Sequence, residues 1–250
     1  GGTDIETYTD YITVYQAVNA EFSADLTSGI APLEVHFTNL STGDYATLSW
    51  DFGDGGTSTD ANPTYVYNAG GTFTVTLTVS GNGGTDQETK TAYISIYSPV
   101  TADFTYTPAN GIAPLTVQFT NTSSGDYDTL AWNFGDGSPV SNEIDPEHVF
   151  EAGGTYIVTL TALGTGGQGI QTHSIEVFIP VEAAFSTNVT SGVAPLSVEF
   201  TNQSSGDFDT IAWDFGDLNS GNIPNPIHTY EMPGIYTVTL TVSGPGGNDV

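Results

Sequence analysis

A run of eight residues occurs three times along the chain: LSWDFGDG at 48–55, LAWNFGDG at 130–137 and IAWDFGDL at 211–218. Its tryptophans, Trp50, Trp132 and Trp213, are 82 and 81 residues apart. That interval is too long for a solenoid repeat and suits a small domain. The chain therefore reads as three tandem modules, and any role given to the run must hold in each. A module of about 80 residues buries only a modest core. With no cysteine in the chain, neither disulfides nor thiolate-bound metals can reinforce it.

Hydrophobic periodicity is two almost everywhere. In Thr72-Phe-Thr-Val-Thr-Leu-Thr-Val79 apolar residues alternate with threonine, and 155–161 and 235–242 repeat the pattern. Such alternation predicts half-buried antiparallel strands with threonine on the wet face. No segment sustains a 3.6 period, so no helix is expected. Each module has an opening strand (Phe22, Phe104 or Phe185), a Gly-x-Ala-Pro-Leu turn (Gly29, Gly111, Gly192) and a VxFTN strand. The tryptophan strand, a short strand (TYVY, EHVF or IHTY), the threonine-rich strand, a Gly-rich hairpin and a closing strand such as 92–97 follow. About seven short strands with turns between them predict an all-β chain of three immunoglobulin-like β-sandwiches. The expected modules are 18–99, 100–180 and 181–250, the last lacking its closing strand. The linkers 97–101 and 178–182 are short and contain proline, so a rod is expected in which each module adds about 35–40 Å.

The repeated run can be read as a turn. Trp50 and Phe52 share one face of a strand and point to the core. Gly53 permits a bend that a side chain would resist. Asp54-Gly55 suits a tight turn, with the carboxylate accepting nearby amide hydrogens. The same holds for Trp132, Phe134, Gly135 and Asp136, and for Trp213, Phe215, Gly216 and Asp217. Leu218 stands where the other modules have glycine, so the third turn is expected to differ.

Four linked motifs, WDFGDG, APLxVxFTN, NP…Y and GxYTVTLTV, together resemble the polycystic kidney disease (PKD) domain, across nearly the whole chain. Asn133, where that family usually has aspartate, and Leu218, where it has glycine, depart from the pattern. The resemblance implies seven-stranded sandwiches without catalysis of their own. It also implies occurrence in microbial surface-layer proteins or as accessory modules of secreted hydrolases, and some members bind calcium.

Asp and Glu number 29 against one basic residue, Lys90, for a net charge of −28. Nothing displaces phosphate counterions, which excludes nucleic acid, and anionic membrane surfaces for the same reason. No apolar run is long enough for membrane insertion. A 38% hydrophobic, 12% aromatic chain is nonetheless a folding composition. The missing cations suit a saline or calcium-containing exterior, so an extracellular or cell-surface location is expected. No HExxH, GxSxG, phosphate-cradling loop or cysteine nucleophile is present, and no enzyme or required cofactor is expected. His148 and His228 share a module position with Tyr65, which points to a packing or hydrogen-bonding ring.

Three kinds of candidate site remain. Asp126 with Asp128, and Asp207 with Asp209, place alternating carboxylates in one loop, a weak calcium site or a solvated loop. Asn39, Asn121, Asn202 and Asn188 head sequons for N-linked glycans, although Asn also ends strands and starts turns. Tyr45, Tyr127 and Phe208 occupy equivalent places in the acidic loop, either to contact sugars or a neighbouring module or to be buried locally.

The phase of the ends is informative. Gly1-Gly-Thr-Asp matches Gly83-Gly-Thr-Asp and Gly246-Gly-Asn-Asp249, and 5–16 reads as a closing strand without a module of its own. With no initiating Met, a processed or excerpted N-terminus is expected. Two explanations fit. Either the chain is an excerpt of a longer array, or 1–17 donates its strand, through Ile12 and Val14, to the last module of another copy. The expected function is a non-enzymatic structural repeat of a surface layer, stalk or filament, with copies of itself as partner. The alternatives are an adhesive module for polysaccharide or protein, and the spacer of a secreted hydrolase.

Overall fold

A computed structural model describes residues 1–250 and contains strands, turns and loops but no helix. The first module comprises β1 (Phe22–Ala24), β2 (Ser28–Ile30), β3 (Leu33–Asn39), β4 (Thr47–Asp51), β5 (Thr57–Ser58), β6 (Thr64–Tyr67), β7 (Gly71–Gly81) and β8 (Gly84–Tyr97). They form two sheets in the orders β1-β3-β6 and β2-β8-β7-β4-β5. The second module repeats this with β9 (Phe104–Thr107), β10 (Asn110–Ile112), β11 (Leu115–Asn121), β12 (Thr129–Asn133), β13 (Glu147–Phe150), β14 (Gly154–Gly164) and β15 (Gly167–Phe178). Its sheets run β13-β11-β9 and β10-β15-β14-β12. The third has β16 (Phe185–Thr187), β17 (Leu196–Asn202), β18 (Thr210–Asp214), β19 (Ser220–Gly221), β20 (Ile227–Tyr230), β21 (Thr239–Gly244) and β22 (Gly247–Asp249), as β16-β17-β20 and β19-β18-β21-β22.

The period-two pattern places the core. Along β7, Val75, Leu77 and Val79 are buried while the intervening threonines reach water. Trp50 on β4 lies opposite Leu77 and is enclosed by Phe22, 5.2 Å away edge-on, and Phe37 at 5.6 Å. Trp132 meets Phe104, and Trp213 meets Phe185, in the same edge-on way at 5.0 and 5.2 Å. Each indole N–H finds a carbonyl (Asp60, Glu143 or Ile223) at 2.9–3.0 Å, so burying the polar end costs little. A fully buried large apolar side chain contributes about 1.5–3 kcal/mol, and these ring clusters are where a small core concentrates that gain. Lys90 holds its Nζ 2.8 Å from Glu21 and 4.7 Å above the Phe22 ring.

The third module departs from expectation along the run 235–242. β7 and β14 begin at Gly71 and Gly154, but β21 begins only at Thr239. In the first module the early half of β7 pairs with the end of β8, Gly71 opposite Ile96 and Phe73 opposite Ile94. The third module has no such strand within 1–250, so residues 234–238 lack a ladder partner. Residues 191–193 lose their strand for the same reason, because β2 and β10 exist by parallel pairing with β8 and β15. Residues 5–16 form no strand either and lie largely in solvent.

Residues 1–101, 124–128 and 163–168 form one compact unit and the remaining residues a second. Two loops of the second module thus pack with the end of the first.

Candidate functional site

The repeated turn is built on the backbone. Gly53, Gly135 and Gly216 adopt φ of 86°, 79° and 77°, and a Cβ there would come within 2.3–2.5 Å of the carbonyl of Thr74, Ile157 or Thr237. No side chain fits that approach. Asp51, Asn133 and Asp214 each accept the N–H of that glycine at 2.9 Å. Amide and carboxylate oxygens serve equally there, so Asn133 is no departure in geometry. Asp54 accepts the Gly56 N–H at 3.0 Å, Asp136 that of Ser138 at 3.0 Å and Asp217 that of Asn219 at 3.1 Å. Contrary to expectation, the third turn does not differ: Leu218 takes φ 74°, beside 94° and 85° at Gly55 and Gly137. Its fully exposed side chain meets nothing, and the bonds around Asp217 hold the backbone in the left-handed region.

Each turn carboxylate also reaches a ring. The Tyr65 hydroxyl lies 2.8 and 2.9 Å from the two oxygens of Asp54, and His148 and His228 bring Nε2 to 2.7 and 2.8 Å from the second oxygens of Asp136 and Asp217. The three rings lie flat on Phe52, Phe134 and Phe215 at 4.0, 3.9 and 4.1 Å. Each carboxylate thus ties its turn to the short strand that follows. Burial, and then the hydrogen bond to Asp54, push Tyr65 up to about 12. Burial acts to raise Asp136, but bonds from Ser138 and His148 outweigh it and hold that carboxyl below its ordinary range. Asp217 is lowered likewise, desolvation being overcome by Asn219 and His228.

A second set of carboxylates joins modules. Asp126 accepts the Ser98 N–H at 2.6 Å and donates its own N–H to the Ser98 carbonyl at 3.1 Å. Its carbonyl accepts from Gly166 at 2.8 Å, and Gly166 accepts from Val100 at 3.0 Å. Ser98 follows directly on Tyr97, the last residue of β8. Asp207 repeats this with Ile179, the residue after β15, at 2.6 and 3.1 Å. Asp44 repeats it with Gln16 at 2.6 and 3.1 Å. A Cβ on Gly83, Gly166 or Gly246 would sit 2.0–2.1 Å from the carbonyl of Gln16, Ser98 or Ile179, so each joint needs glycine against the linker backbone.

The sequence reading missed this role, although a signal existed. The first aspartate of the loop (44, 126 and 207) recurs in all three modules, whereas the second position reads Ala46, Asp128 and Asp209. The recurring one binds backbone. As calcium ligands the four carboxylates fit poorly: Asp126 and Asp207 are committed to amides, and no group of three or more acidic or histidine side chains gathers to hold a metal, where a calcium ion needs six to eight oxygens.

Tyr45 and Phe208 are half-buried against the cores of their own modules, and Tyr127 has the same burial. The sequons are unequal. Asn39 accepts from Ser41 and gives its amide to Tyr45 at 3.1 Å, and Asn121 and Asn202 accept from Ser123 and Ser204. Asn188 is exposed and uses only its oxygen visibly, accepting the Glu199 N–H at 2.9 Å.

Two facing sheets around a buried tryptophan, repeated three times, define a tandem immunoglobulin-like protein. The I-band fragment I67–I69 of titin shares this fold, with a TM-score of 0.59 at 12% identity over 95% of this chain and 96% of that one. A charge-altered variant of the same titin fragment gives 0.57 at 14%, over 92% and 96%. The PKD domain family model matches residues 16–96, 98–179 and 180–250, and the chain belongs to that family. Collagenase ColA of Bacillus cereus is 40% identical over 80 residues, 30% of this chain and 8% of the collagenase. Pre-pro-metalloprotease PrtV of Vibrio cholerae is 37% identical over 71 residues, 28% of this chain and 8% of that protein. The matched segments thus span less than a tenth of these relatives.

Proposed function

We propose that the three modules are a non-catalytic structural segment of an extracellular protein, serving in a surface layer, stalk or filament. One observation carries this reading: the same aspartate–linker joint recurs at Asp44, Asp126 and Asp207. A joint that fastens one backbone to the next serves a load or a spacing, and it engages one oxygen of each of these carboxylates with a main-chain amide. The turn carboxylates are equally committed to amides and rings. The large negative charge suits an exported chain.

A second reading is favoured by the similarity to a collagenase and a metalloprotease: the modules are the spacer of a secreted hydrolase. The sequence flanking this chain in the whole protein separates the two, further modules supporting the first and a protease or glycosidase domain the second. Adhesion is less well served, because Tyr45 and Phe208 turn toward their own cores. The purified chain is expected to pass unretained over collagen, chitin and cellulose, and protease shaving of intact cells to release its peptides. Saturable retention on any of these polymers, or peptides found only inside the cell, would overturn the structural extracellular reading.

A further inference from the structure

The edge of a sheet presents a row of free backbone N–H and C=O groups on which another strand can pair. β8 and β15 each run along such an edge for much of their length. β8 has a strand on its outer side only at Ser95–Tyr97, paired with β2, and β15 only at Glu176–Phe178, paired with β10. Residues 84–91 and 167–175 precede those pairs and lie on the open side of their sheets.

The two edges differ in chemistry. In β8 the inward positions hold Asp86, Glu88 and Lys90, all half-buried. Asp86 accepts the Ala20 N–H at 2.8 Å, and Lys90 donates to Glu21 at 2.8 Å and to the Phe22 carbonyl at 2.6 Å. Inward-pointing charges deter a strand from another molecule, which would have to bury them. In β15 the same positions hold Gly169, Gln171 and His173. Gln171 turns to His173 at 3.3 Å, and His173 stands edge-on to Phe104 at 4.7 Å. Residues 167–175 contain no carboxylate and no lysine, in a chain of net charge −28. Ile170 on the outward side is 58% exposed. The open stretch ends where the Tyr106 hydroxyl reaches the Ser174 carbonyl at 3.4 Å. Gly81 and Gly84 close a two-residue turn, so alternate residues from Gly84 onward bond to β7 and those between face outward. The turn between Gly164 and Gly167 repeats this, which puts the backbone groups of Ile170 and Thr172 on the open edge.

We propose that residues 169–173 of β15 pair antiparallel with the same residues of a second copy of this chain, about a two-fold axis at Gln171. Ile170 of each copy faces Thr172 of the other, exchanging both backbone bonds and packing their aliphatic groups together. Gln171 meets Gln171, amide to amide, and Gly169 leaves room opposite His173. The same pairing in β8 would set Glu88 against Glu88, like charges directly opposite. The contact is isologous and joins two sheets into one. It is small, so it is weak singly and suits an array in which many copies add. It rests on the structural reading above and names its partner. Two chains of net charge −28 repel, so salt strengthens the contact.

The test uses the full 250-residue chain, in sedimentation equilibrium and amide exchange. The wild type is expected to form dimers as concentration and salt rise. The amides of Ile170 and Thr172 should then slow at least about tenfold, while those of β11 keep their rates. Q171E is isosteric and matches Glu88, and it sets two carboxylates across the axis. It is expected to melt unchanged and to dimerise at least about tenfold more weakly. T116E adds the same charge at an exposed position of the other sheet and should associate nearly as the wild type does. A wild type that stays monomeric at every concentration and salt overturns the proposal. So does association that leaves the Ile170 and Thr172 amides fast, or that Q171E weakens no more than T116E. Should Q171E fail to fold, the wild-type exchange pattern decides alone. None of these results touches the structural reading, which falls on polymer binding or cellular location.

Discussion

His148 lies flat on Phe134, ring centroids 3.9 Å apart and planes 4° from parallel, with its Nε2 2.7 Å from Asp136. The ring has a wet edge and a dry face, and it ties the turn after β12 to β13. In the first module Tyr65 holds the same place on Phe52. The substitution changes which end of the pH scale challenges each module.

Acid should act on the second and third modules. Asp136 and Asp217 titrate below the ordinary carboxylate range. Their contribution is complete above the unfolded value, about pH 3.9, and is lost as pH falls through the lower folded value. With Trp50 and Trp213 replaced by Phe, Trp132 fluorescence should show the second module losing no stability through Asp136 between pH 7 and about 4. D136A should cost it about 2 kcal/mol at pH 7, and a cost near zero would contradict the tie.

Alkali should act on the first. Tyr65, pushed up to about 12, contributes stability that is complete below the unfolded value near pH 10 and is lost as pH rises through the folded one. The difference absorbance at 295 nm between wild type and Y65F is expected to place this ionisation close to 12. Ionisation near 10 would contradict the Asp54 bond.

Leu218 holds φ 74° with its side chain in solvent. L218G should stabilise the third module by about 0.5–1 kcal/mol, relief of left-handed strain exceeding the entropy glycine adds to the unfolded chain. Denaturant unfolding followed at Trp213 checks this, and a loss would show that the leucine has a contact of its own.

Calcium should find no site in the Asp126 and Asp207 loops. Addition of millimolar calcium is expected to move the melting temperature by less than about 1 °C. A rise of several degrees, abolished by D128A and D209A together, would restore the carboxylate pairs as ligands.

Glycans, where attached, should map to Asn188. It alone of the four sequon asparagines is exposed, and Asn39 spends its amide on Tyr45. Mass spectrometry of native protein reads occupancy directly, and preferential modification of Asn39 would contradict the accessibility argument.

Much of the fold was legible because its causes are local. Alternation in β7 places Val75, Leu77 and Val79 inside, and Trp50 with Phe52 follows from the same period. What escaped depended on partners far along the chain. Asp126 bonds a main-chain amide 28 residues earlier, and a backbone amide leaves no trace in residue type. The strand anticipated at 235–242 is halved because its other half needs a neighbour. Leu218 misled because a strain of about 1 kcal/mol is smaller than what the bonds around Asp217 hold in place.

The joint itself is the most direct test of the account. Amide exchange at Ser98 should be slow in the wild type and at least about tenfold faster in D126A, with Trp132 fluorescence and the melting of the second module retained. Exchange at Ser98 that is already as fast as in an unstructured chain, or that D126A leaves unchanged, would contradict a linker held by that carboxylate.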